Sequence, residues 1–283
     1  MRLVEIAGTS IRTSRLGFGT ASLHHVLSAA ARRRLLERAW HEGIRYFDTA
    51  PLYGHGMAER DLGRFVRTRR GEAAVATKFG LLPSTLLGRV PPLMYLQKAG
   101  SRALGRRWGR FLATDPRRDY GARYARARID RSLQVLATDY IDILYLHEPK
   151  LAFLPQGAEL VDALADMQRQ GKVRYLGLSG SLEDCVAITK TYPQLGTVWQ
   201  LDVLPGVTPA AISALDGRAA QVTFGHFRNA PAAASPDAGA RGNAVRRNLT
   251  GAVELNRGGV VLFSTRDPQH IQNTAATLAA IEQ

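Results

Sequence analysis

Residues 139–178 contain the pattern that decides the fold, and they read DYIDILYLHEPKLAFLPQGAELVDALADMQRQGKVRYLGL. The run Asp139–Leu146 is short and apolar, which is typical of a buried strand. Glu159–Gln170 has the apolar period of a helix and stops at Gly171, and Val173–Leu178 is apolar again. A strand, a helix and a second strand in this order favour parallel strands joined by a helical crossover.

The same alternation extends outward from this unit in both directions. The other predicted strands are Leu16–Thr20, Ile44–Phe47, Ala73–Ala76, Thr197–Val203, Gln221–Phe224 and Val260–Phe263. The other predicted helices are Ser28–Glu42, Met57–Arg67, Ala122–Leu136, Leu182–Thr191, Pro209–Leu215 and Pro268–Ile281, with one more inside Arg241–Leu255. Eight such steps in 283 residues predict a (β/α)8 TIM barrel that forms a single domain over residues 1–283.

A doubly wound sheet is the alternative fold for alternating strands and helices. The turn after the first predicted strand argues against it, because residues 17–21 read GFGTA and lack the G-x-G-x-x-G pattern of a dinucleotide-binding turn. We therefore expect the barrel.

Composition excludes several classes of protein. Hydrophobic residues make up 45% and charged residues 22% of the chain, which is ordinary for a globular domain and excludes a wholly disordered chain. The single cysteine, Cys185, excludes an internal disulfide framework and a Cys-rich zinc site. The sequence has no apolar run of about 18 residues and no signal-peptide pattern at its start, so we expect no membrane span and a cytoplasmic location.

The positive charge of the chain is concentrated in one segment. The formal net charge is +14, and residues 81–128 contain eleven basic residues against only Asp115 and Asp119. Within this segment, residues 82–118 form a proline-containing connection that is long for a barrel, which predicts an inserted basic loop or lid. Such charge could attract phosphate, nucleic acid or anionic lipid, or it could reflect a general use of Arg at solvated positions.

The aromatic residues of the basic segment do not favour a nucleic-acid partner. They are irregularly spaced, unlike a platform on which bases stack. They are Tyr95, Trp108, Phe111, Tyr120 and Tyr124. We also expect a mobile loop over Ala230–Gly242, which is rich in Ala, Pro and Gly.

Candidate chemical residues follow three consecutive predicted strands. Asp48 and, after a short turn, Tyr53 follow the second strand, Lys78 follows the third, and His147 follows the fourth. Active sites of (β/α)8 barrels lie where the strands end, so these four side chains are expected at one mouth. Each alone is more often structural or solvated than catalytic.

These strand ends resemble the aldo-keto reductase family. The resemblance rests on SRLGFGT at 14–20, FDTAPLYG at 47–54, TKFG at 77–80, DYID at 139–142, LHEP at 146–149 and GKVRYLGLS at 171–179. It extends from about Arg2 to Val203. It implies a (β/α)8 barrel that uses a nicotinamide dinucleotide to reduce a small carbonyl compound, an aldehyde or ketone such as a sugar, to an alcohol.

The resemblance implies a role for each of the four residues. Tyr53 is the general acid of the reduction, and the Lys78 ammonium is expected to lower the pKa of its phenol from an ordinary value of about 10. Asp48 holds that ammonium in place. His147 orients the carbonyl and donates a hydrogen bond to the oxygen as negative charge develops there.

The resemblance also implies a set of cofactor contacts. The residues carried over are Gly19, Thr20, Ser179, Gln200, Phe224, Ser264, Thr265, Arg266 and Asn273. Ser179 and Gln200 would hold the nicotinamide carboxamide, with Gly180 where the family usually has Asn. Phe224 would stack on the nicotinamide, or it is an ordinary core residue. Arg266 would meet a 2′-phosphate and favour NADP (NADPH) over NAD, or it is a surface Arg at a helix start.

Two other function classes remain open at this point. One is a non-catalytic barrel that senses a nucleotide without turning it over. The other is a barrel whose basic insert binds an anionic partner.

Overall fold

The computed structural model describes residues 1–82, 117–203, 207–213, 219–227 and 238–282. Its strands are β1 Leu3–Glu5, β2 Arg12–Ser14, β3 Leu16–Gly19, β4 Tyr46–Asp48, β5 Ala74–Phe79, β6 Ile141–His147, β7 Val173–Gly180, β8 Val198–Asp202, β9 Val222–Phe224 and β10 Val260–Phe263. Its α-helices are α1 Ala29–His41, α2 Met57–Val66, α3 Ala122–Leu136, α4 Gly157–Arg169, α5 Leu182–Thr191, α6 Pro209–Ser213, α7 Ala238–Leu255 and α8 Pro268–Ile281.

The strands β3 to β10 close into one barrel in chain order. Each is parallel to its neighbours, and β10 pairs with β3 to complete the ring. Helices lie between successive strands, so the predicted (β/α)8 TIM barrel is confirmed. The parallel arrangement brings the carboxyl ends of all these strands to the same face.

Local sequence explains where the elements begin and end. Ser28 precedes α1, and its hydroxyl accepts a hydrogen bond from the Ala31 N–H at 3.3 Å, as an N-cap does. The barrel interior is filled by side chains from alternate strands, including the buried Tyr46, Tyr145 and Val198. Tyr46 and Tyr145 are hydrogen-bonded to each other there, with their hydroxyl oxygens 3.1 Å apart.

A hairpin at the start of the chain was not expected from the sequence. The strands β1 and β2 pair antiparallel, and Ile6 and Ile11 join the buried cluster that fills the barrel. Gln221 fastens this hairpin to the barrel, because its side-chain amide donates to the carbonyls of Ala7 and Thr197. The hairpin lies at the amino ends of the barrel strands, opposite the mouth where the strands of Asp48, Lys78 and His147 end.

The basic insert is described only where it leaves and rejoins the barrel. The Leu82 N–H donates to the Arg117 carbonyl at 2.8 Å, and Leu81 and Arg118 form an isolated antiparallel bridge. The expected insert at 82–118 therefore departs and returns at one point, directly after β5. Residues 83–116 lie outside the described residues, as do Tyr95, Trp108 and Phe111.

The expectation of a mobile loop over Ala230–Gly242 is wrong for the last residues of that stretch. The helix α7 begins at Ala238, so the last residues of that stretch are helical, while residues 228–237 lie outside the described part of the chain. Within the described residues, no helix has the combination of length and apolar character needed to cross a bilayer.

Candidate active site

The ends of β4, β5 and β6 bring Asp48, Lys78 and His147 to one mouth of the barrel. The strands pair in register there, so that Asp48 is opposite Ala76 and Lys78 is opposite Tyr145. Asp48 and Lys78 are each 2% exposed and His147 is 7% exposed. The fourth residue, Tyr53, lies in a short turn of 3-10 helix between β4 and α2.

That turn has an unusual backbone. Gly54, His55 and Gly56 follow Tyr53 with φ angles of 58°, 54° and 89°, all in the left-handed region. A Cβ on Gly54 would also lie 2.6 Å from the Cβ of His24, so glycine is required there by space as well as by conformation. The turn reverses the chain between β4 and α2 and holds Tyr53 over the end of β5.

Lys78 is the centre of the polar contacts in the site. Its ammonium donates to the two Asp48 carboxylate oxygens at 2.6 and 2.5 Å, to the Thr49 carbonyl at 3.1 Å and to the Tyr53 hydroxyl at 3.2 Å. These hydrogen bonds offset the cost of removing the pair from water. Burial by itself lowers the pKa of Lys78. Asp48 and Tyr53 together raise this pKa by more than burial lowers it, so the net shift is upward.

His147 faces Tyr53 from the neighbouring strand. The two rings meet edge to face, with centroids 5.9 Å apart and an interplanar angle of 89°. Burial, followed by the nearby Lys78 charge, lowers the pKa of His147 well below its ordinary value. The imidazole is therefore neutral near pH 7 and can donate one hydrogen bond while it carries no charge.

The shift of the Tyr53 pKa differs from the sequence-based expectation. Lys78 does lower the pKa of the phenol, but burial of the ring has the larger effect and raises it, so the net shift is upward. The expectation of a lowered pKa is wrong because it counted the ammonium and not the loss of water around the ring. Tyr53 is therefore protonated at neutral pH.

The predicted carboxamide contacts join the same network. Ser179 on β7 and Gln200 on β8 are opposite each other in the sheet, and Ser179 is also opposite His147. The Ser179 hydroxyl donates to the Gln200 side-chain oxygen at 2.6 Å, and the Gln200 amide donates to Asp48 Oδ1 at 2.7 Å. A continuous buried chain of hydrogen bonds thus leads from Ser179 to Tyr53.

The first-strand residues support this network from the other side. The Thr20 hydroxyl donates to the Asp48 carbonyl at 3.0 Å and is fully buried. Gly19 lies beside the end of β10, where a Cβ would meet the Phe263 carbonyl at 3.4 Å. Both residues therefore lie at the mouth, and Thr20 holds the backbone of Asp48.

The remaining predicted cofactor residues lie apart from this network. Phe224 ends β9 as a partly buried side chain that packs against the barrel interior. Ser264 and Arg266 follow β10 and are exposed, and the Ser264 hydroxyl lies 2.6 Å from that of Ser22. Asn273 is exposed on α8, where its side-chain oxygen accepts from Gln269, and Thr265 lies at the start of that helix and accepts from the Asp267 N–H.

The donor set fits a nicotinamide dinucleotide at its nicotinamide end. Ser179 and Gln200 present a hydroxyl and an amide next to the Asp48–Lys78 pair, which is the chemistry needed to recognise a carboxamide. Gly180 leaves space beside them, since a Cβ there would meet nothing nearer than the Glu148 Cα at 3.7 Å. At the other end, the exposed Arg266 precedes the N-terminus of α8, a combination that suits a phosphate.

Sequence reasoning missed two residues that organise the site. Tyr120 is buried and donates from its hydroxyl to the His147 carbonyl at 2.7 Å. Glu59 is fully buried beneath β5, where its carboxylate accepts from Thr77 and Ser132 and pairs with Arg128. Tyr120 could have been found from its position, because it stands two residues before α3 and the helices of a (β/α)8 barrel begin near the mouth at which the strands end.

Comparison with known proteins identifies the family of this chain. The model of the Aldo/keto reductase family matches residues 15–193. A D-threo-aldose 1-dehydrogenase from a Pseudomonas species is 34% identical over 187 residues, which is 64% of this chain and 54% of that protein. L-galactose dehydrogenase from Arabidopsis thaliana is 28% identical over 187 residues, 64% of this chain and 49% of that protein.

The match to the curated relatives is partial, whereas the fold matches throughout. The chain spans about half the length of the curated relatives that it matches. The structure of an aldo-keto reductase from Bacillus halodurans superposes with a TM-score of 0.71 at 18% identity, covering 98% of this chain and 91% of that one, which is a likeness of fold. With the family model spanning all four residues Asp48, Tyr53, Lys78 and His147, the chain belongs to the aldo/keto reductase family.

Proposed function

We propose that this protein is an oxidoreductase that interconverts a carbonyl compound and an alcohol by hydride transfer, with NADPH as the preferred cofactor. The observation that carries the proposal is the contact of Lys78 Nζ with Tyr53 Oη at 3.2 Å and with the Asp48 carboxylate at 2.5–2.6 Å. A bound nicotinamide would supply the hydride. The residues of the chain have to supply the proton and the positioning.

Tyr53 is the proton donor in the reduction direction. Its raised pKa keeps the phenol protonated at neutral pH, which is the form that a general acid requires. When the phenol gives up its proton, the Lys78 ammonium already hydrogen-bonded to it stabilises the phenolate. Asp48 keeps Lys78 within that distance, so the charge is ready before the reaction begins.

His147 acts on the carbonyl oxygen. Its pKa is lowered, so the neutral imidazole presents an N–H without adding a second positive charge beside Lys78. A neutral donor placed beside the Tyr53 hydroxyl can orient the carbonyl and stabilise its oxygen as charge develops. In the oxidation direction the same residues work in reverse, with Tyr53 accepting the proton of the alcohol.

The substrate class that we propose is a sugar or a related hydroxy-carbonyl compound. The names of two relatives, D-threo-aldose 1-dehydrogenase and L-galactose dehydrogenase, support this choice. Ser179 and Gln200 are proposed to hold the carboxamide, with Gly19, Thr20 and Phe224 beside the nicotinamide. Ser264, Thr265, Arg266 and Asn273 are proposed to contact the adenosine end, and Arg266 to select the 2′-phosphate of NADPH.

The test is turnover of NADPH with a panel of aldehydes and aldoses, and of NADP⁺ with the aldoses, by the wild type and by Tyr53→Phe. Loss of the proton donor should lower the rate by about 10²–10⁴-fold, because phenylalanine keeps the ring and lacks the hydroxyl. Tyr140→Phe is the matched control, since Tyr140 lies just before β6 at the opposite end of the barrel.

Undiminished turnover in Tyr53→Phe would remove Tyr53 from the acid role. Tight binding of NADPH without turnover of any compound in the panel would instead favour the alternative of a nucleotide-sensing barrel.

A further inference from the structure

Tyr120 contacts the two strand ends that carry Lys78 and His147. It is 5% exposed. Its ring covers Gly80, where a Cβ would lie 2.1 Å from the tyrosine Cε1, and it packs on Phe79 with ring centroids 6.3 Å apart. Its hydroxyl donates to the His147 carbonyl at 2.7 Å. One side chain thus bridges the end of β5 and the end of β6.

The peptide that Tyr120 holds is the one that joins His147 to Glu148. At its other end, the Glu148 N–H donates to the Ser179 carbonyl at 2.7 Å. The carbonyl and the N–H of this single peptide unit are therefore both hydrogen-bonded, and in opposite directions. Its orientation is set by Tyr120 on one side and by β7 on the other.

This peptide also leads into a strained residue. Glu148 has a φ angle of +50°, in the left-handed region that a residue with a Cβ adopts only at a conformational cost. Its side chain is exposed, so burial of the side chain does not compensate for that cost. With the hydroxyl of Tyr120 removed, the peptide is held at one end only and Glu148 is able to relax.

We propose that Tyr120 is a positioning residue whose hydroxyl fixes the His147–Glu148 peptide and thereby sets the placement of the His147 imidazole against Tyr53. The consequence for turnover rests on the function proposed above. The consequence for the geometry of His147 does not, because the contact lies within the free protein.

The chain route to Tyr120 explains how it reaches this position. The Asp119 N–H donates to the Gly80 carbonyl at 2.8 Å, which ties the segment just before Tyr120 to the end of β5. Gly80 has a φ angle of +113°, and both this conformation and the tyrosine ring above it require glycine. The backbone hydrogen bond that places Tyr120 beside His147 therefore remains in a Tyr120→Phe variant.

The experiment compares the wild type with Tyr120→Phe, which deletes one hydroxyl and keeps the ring. Tyr124→Phe is the matched control, since Tyr124 is a partly buried tyrosine in the first turn of α3. The first readout is the ring ¹⁵N NMR signals of His147 in labelled protein, assigned with a His147→Gln variant. The second is kcat and KM measured separately.

Tyr120→Phe should shift the His147 signals and lower kcat by about ten-fold with KM changed by less than about two-fold, because the catalytic geometry loosens. Tyr124→Phe should leave both readouts at the wild-type values. Unchanged His147 signals in folded Tyr120→Phe would overturn the proposal, and so would failure of this variant to fold, since the hydroxyl would then serve the fold itself.

A second comparison uses the strain at Glu148. Glycine adopts the left-handed conformation freely, so Glu148→Gly removes the tendency of the peptide to relax. In that background Tyr120→Phe should shift the His147 signals less and lower kcat by only about two-fold. Equal effects in both backgrounds would show that the peptide does not carry the coupling and would overturn the proposal.

The two readouts separate this proposal from the proposed function. If the wild type turns over no carbonyl compound, the proposed function fails, and the His147 signals alone decide whether Tyr120 positions the imidazole.

Discussion

The ends of β4 to β6 and the ends of β9 and β10 lie at the same mouth but are organised differently. At the first, Asp48, Lys78 and Tyr53 are bonded directly to one another. At the second, Ser264 and Arg266 are exposed, and the hydroxyl of Ser264 contacts Ser22 in the short 3-10 helix that follows β3. The family model matches residues 15–193, so it includes the first region and ends before the second.

The difference follows from the physical demands on each region. A buried ammonium and a buried carboxylate are stable only together, so neither Lys78 nor Asp48 tolerates change without the other. An exposed Ser or Arg side chain remains hydrated, so a change in its neighbours costs little free energy. The region of Asp48, Lys78 and Tyr53 is thus organised by its own contacts, whereas the side chains proposed for the adenosine end are exposed and depend less on their neighbours.

The largest expected effect comes from breaking the buried Asp48–Lys78 pair at Asp48. In Asp48→Asn the Lys78 ammonium loses its buried counter-charge. The new amide N–H₂ group of Asn replaces a carboxylate oxygen and faces another donor, either Lys78 or the Gln200 amide. Reductase turnover should fall by about 10²–10⁴-fold, and the free energy of unfolding in urea should fall by about 3–5 kcal/mol.

The matched control for this prediction is Asp130→Asn, which breaks a surface pair with Lys172 whose N···O distance is 2.7 Å. A surface pair contributes about 0–1 kcal/mol, so this variant should stay near the wild type. Equal losses of stability in the two variants would show that the buried Asp48–Lys78 pair stabilises the fold no more than a surface pair does.

A smaller effect is expected from the exposed region at Arg266. If its guanidinium contacts a 2′-phosphate, Arg266→Ala should raise the Kd of NADPH by about ten- to a hundred-fold and leave the Kd of NADH unchanged, because a charge-assisted contact contributes about 1.5–3 kcal/mol. Fluorescence titration of the protein with each cofactor measures both values without turnover.

Arg257→Ala is the control for Arg266, since Arg257 is exposed at the opposite end of β10. The same rise in Kd for both cofactors would show that Arg266 contributes general positive charge and does not select the phosphate.

The smallest expected effect concerns His226, which follows β9. Burial lowers the pKa of His226 to about 4, and its Nε2 lies 2.9 Å from the Thr223 hydroxyl oxygen. Between pH 6.5 and about 4 the unfolded chain binds a proton here that the folded chain does not, so stability falls as the pH is lowered through this window.

Replacing His226 by Gln should therefore reduce the acid-induced loss of stability by about 1–2 kcal/mol, a value below full linkage because the ring is partly exposed. Urea unfolding at pH 7 and pH 4.5 measures the difference. His41→Gln, at an exposed position near the end of α1, is the control. A pH dependence identical to that of the wild type would contradict a buried neutral His226.

Most of the regular structure follows from local sequence. The bounds of α3, α5, β10 and α8 agree with the pattern-based expectation, because each has a clear apolar period and a clear stop. The hairpin of β1 and β2 is not predicted from the sequence, because strands of three residues have too short a pattern to recognise. The hairpin is held by contacts with the amino-terminal end of the barrel, which the local sequence does not show.

The residues of the candidate site could be predicted from the sequence, but some of the hydrogen bonds that hold them could not. Asp48, Tyr53, Lys78 and His147 were found from strand ends, because a parallel barrel brings all strand ends to one face. The bond from Gln200 to Asp48 and the bond from Tyr120 to His147 were not, because each joins residues that are distant in the chain and depends on side-chain placement.

The sequence by itself determined the alternation of strands and helices, and hence the barrel and the residues at its mouth. Only the tertiary structure decided the direction in which the Tyr53 pKa moves, because burial outweighs the Lys78 charge and burial is a property of the packed chain. It also decided that Tyr120, which by sequence is one aromatic among several in a basic segment, lies against the His147 peptide. Side-chain periodicity is a local property, whereas desolvation and contacts between distant residues arise only when the barrel closes.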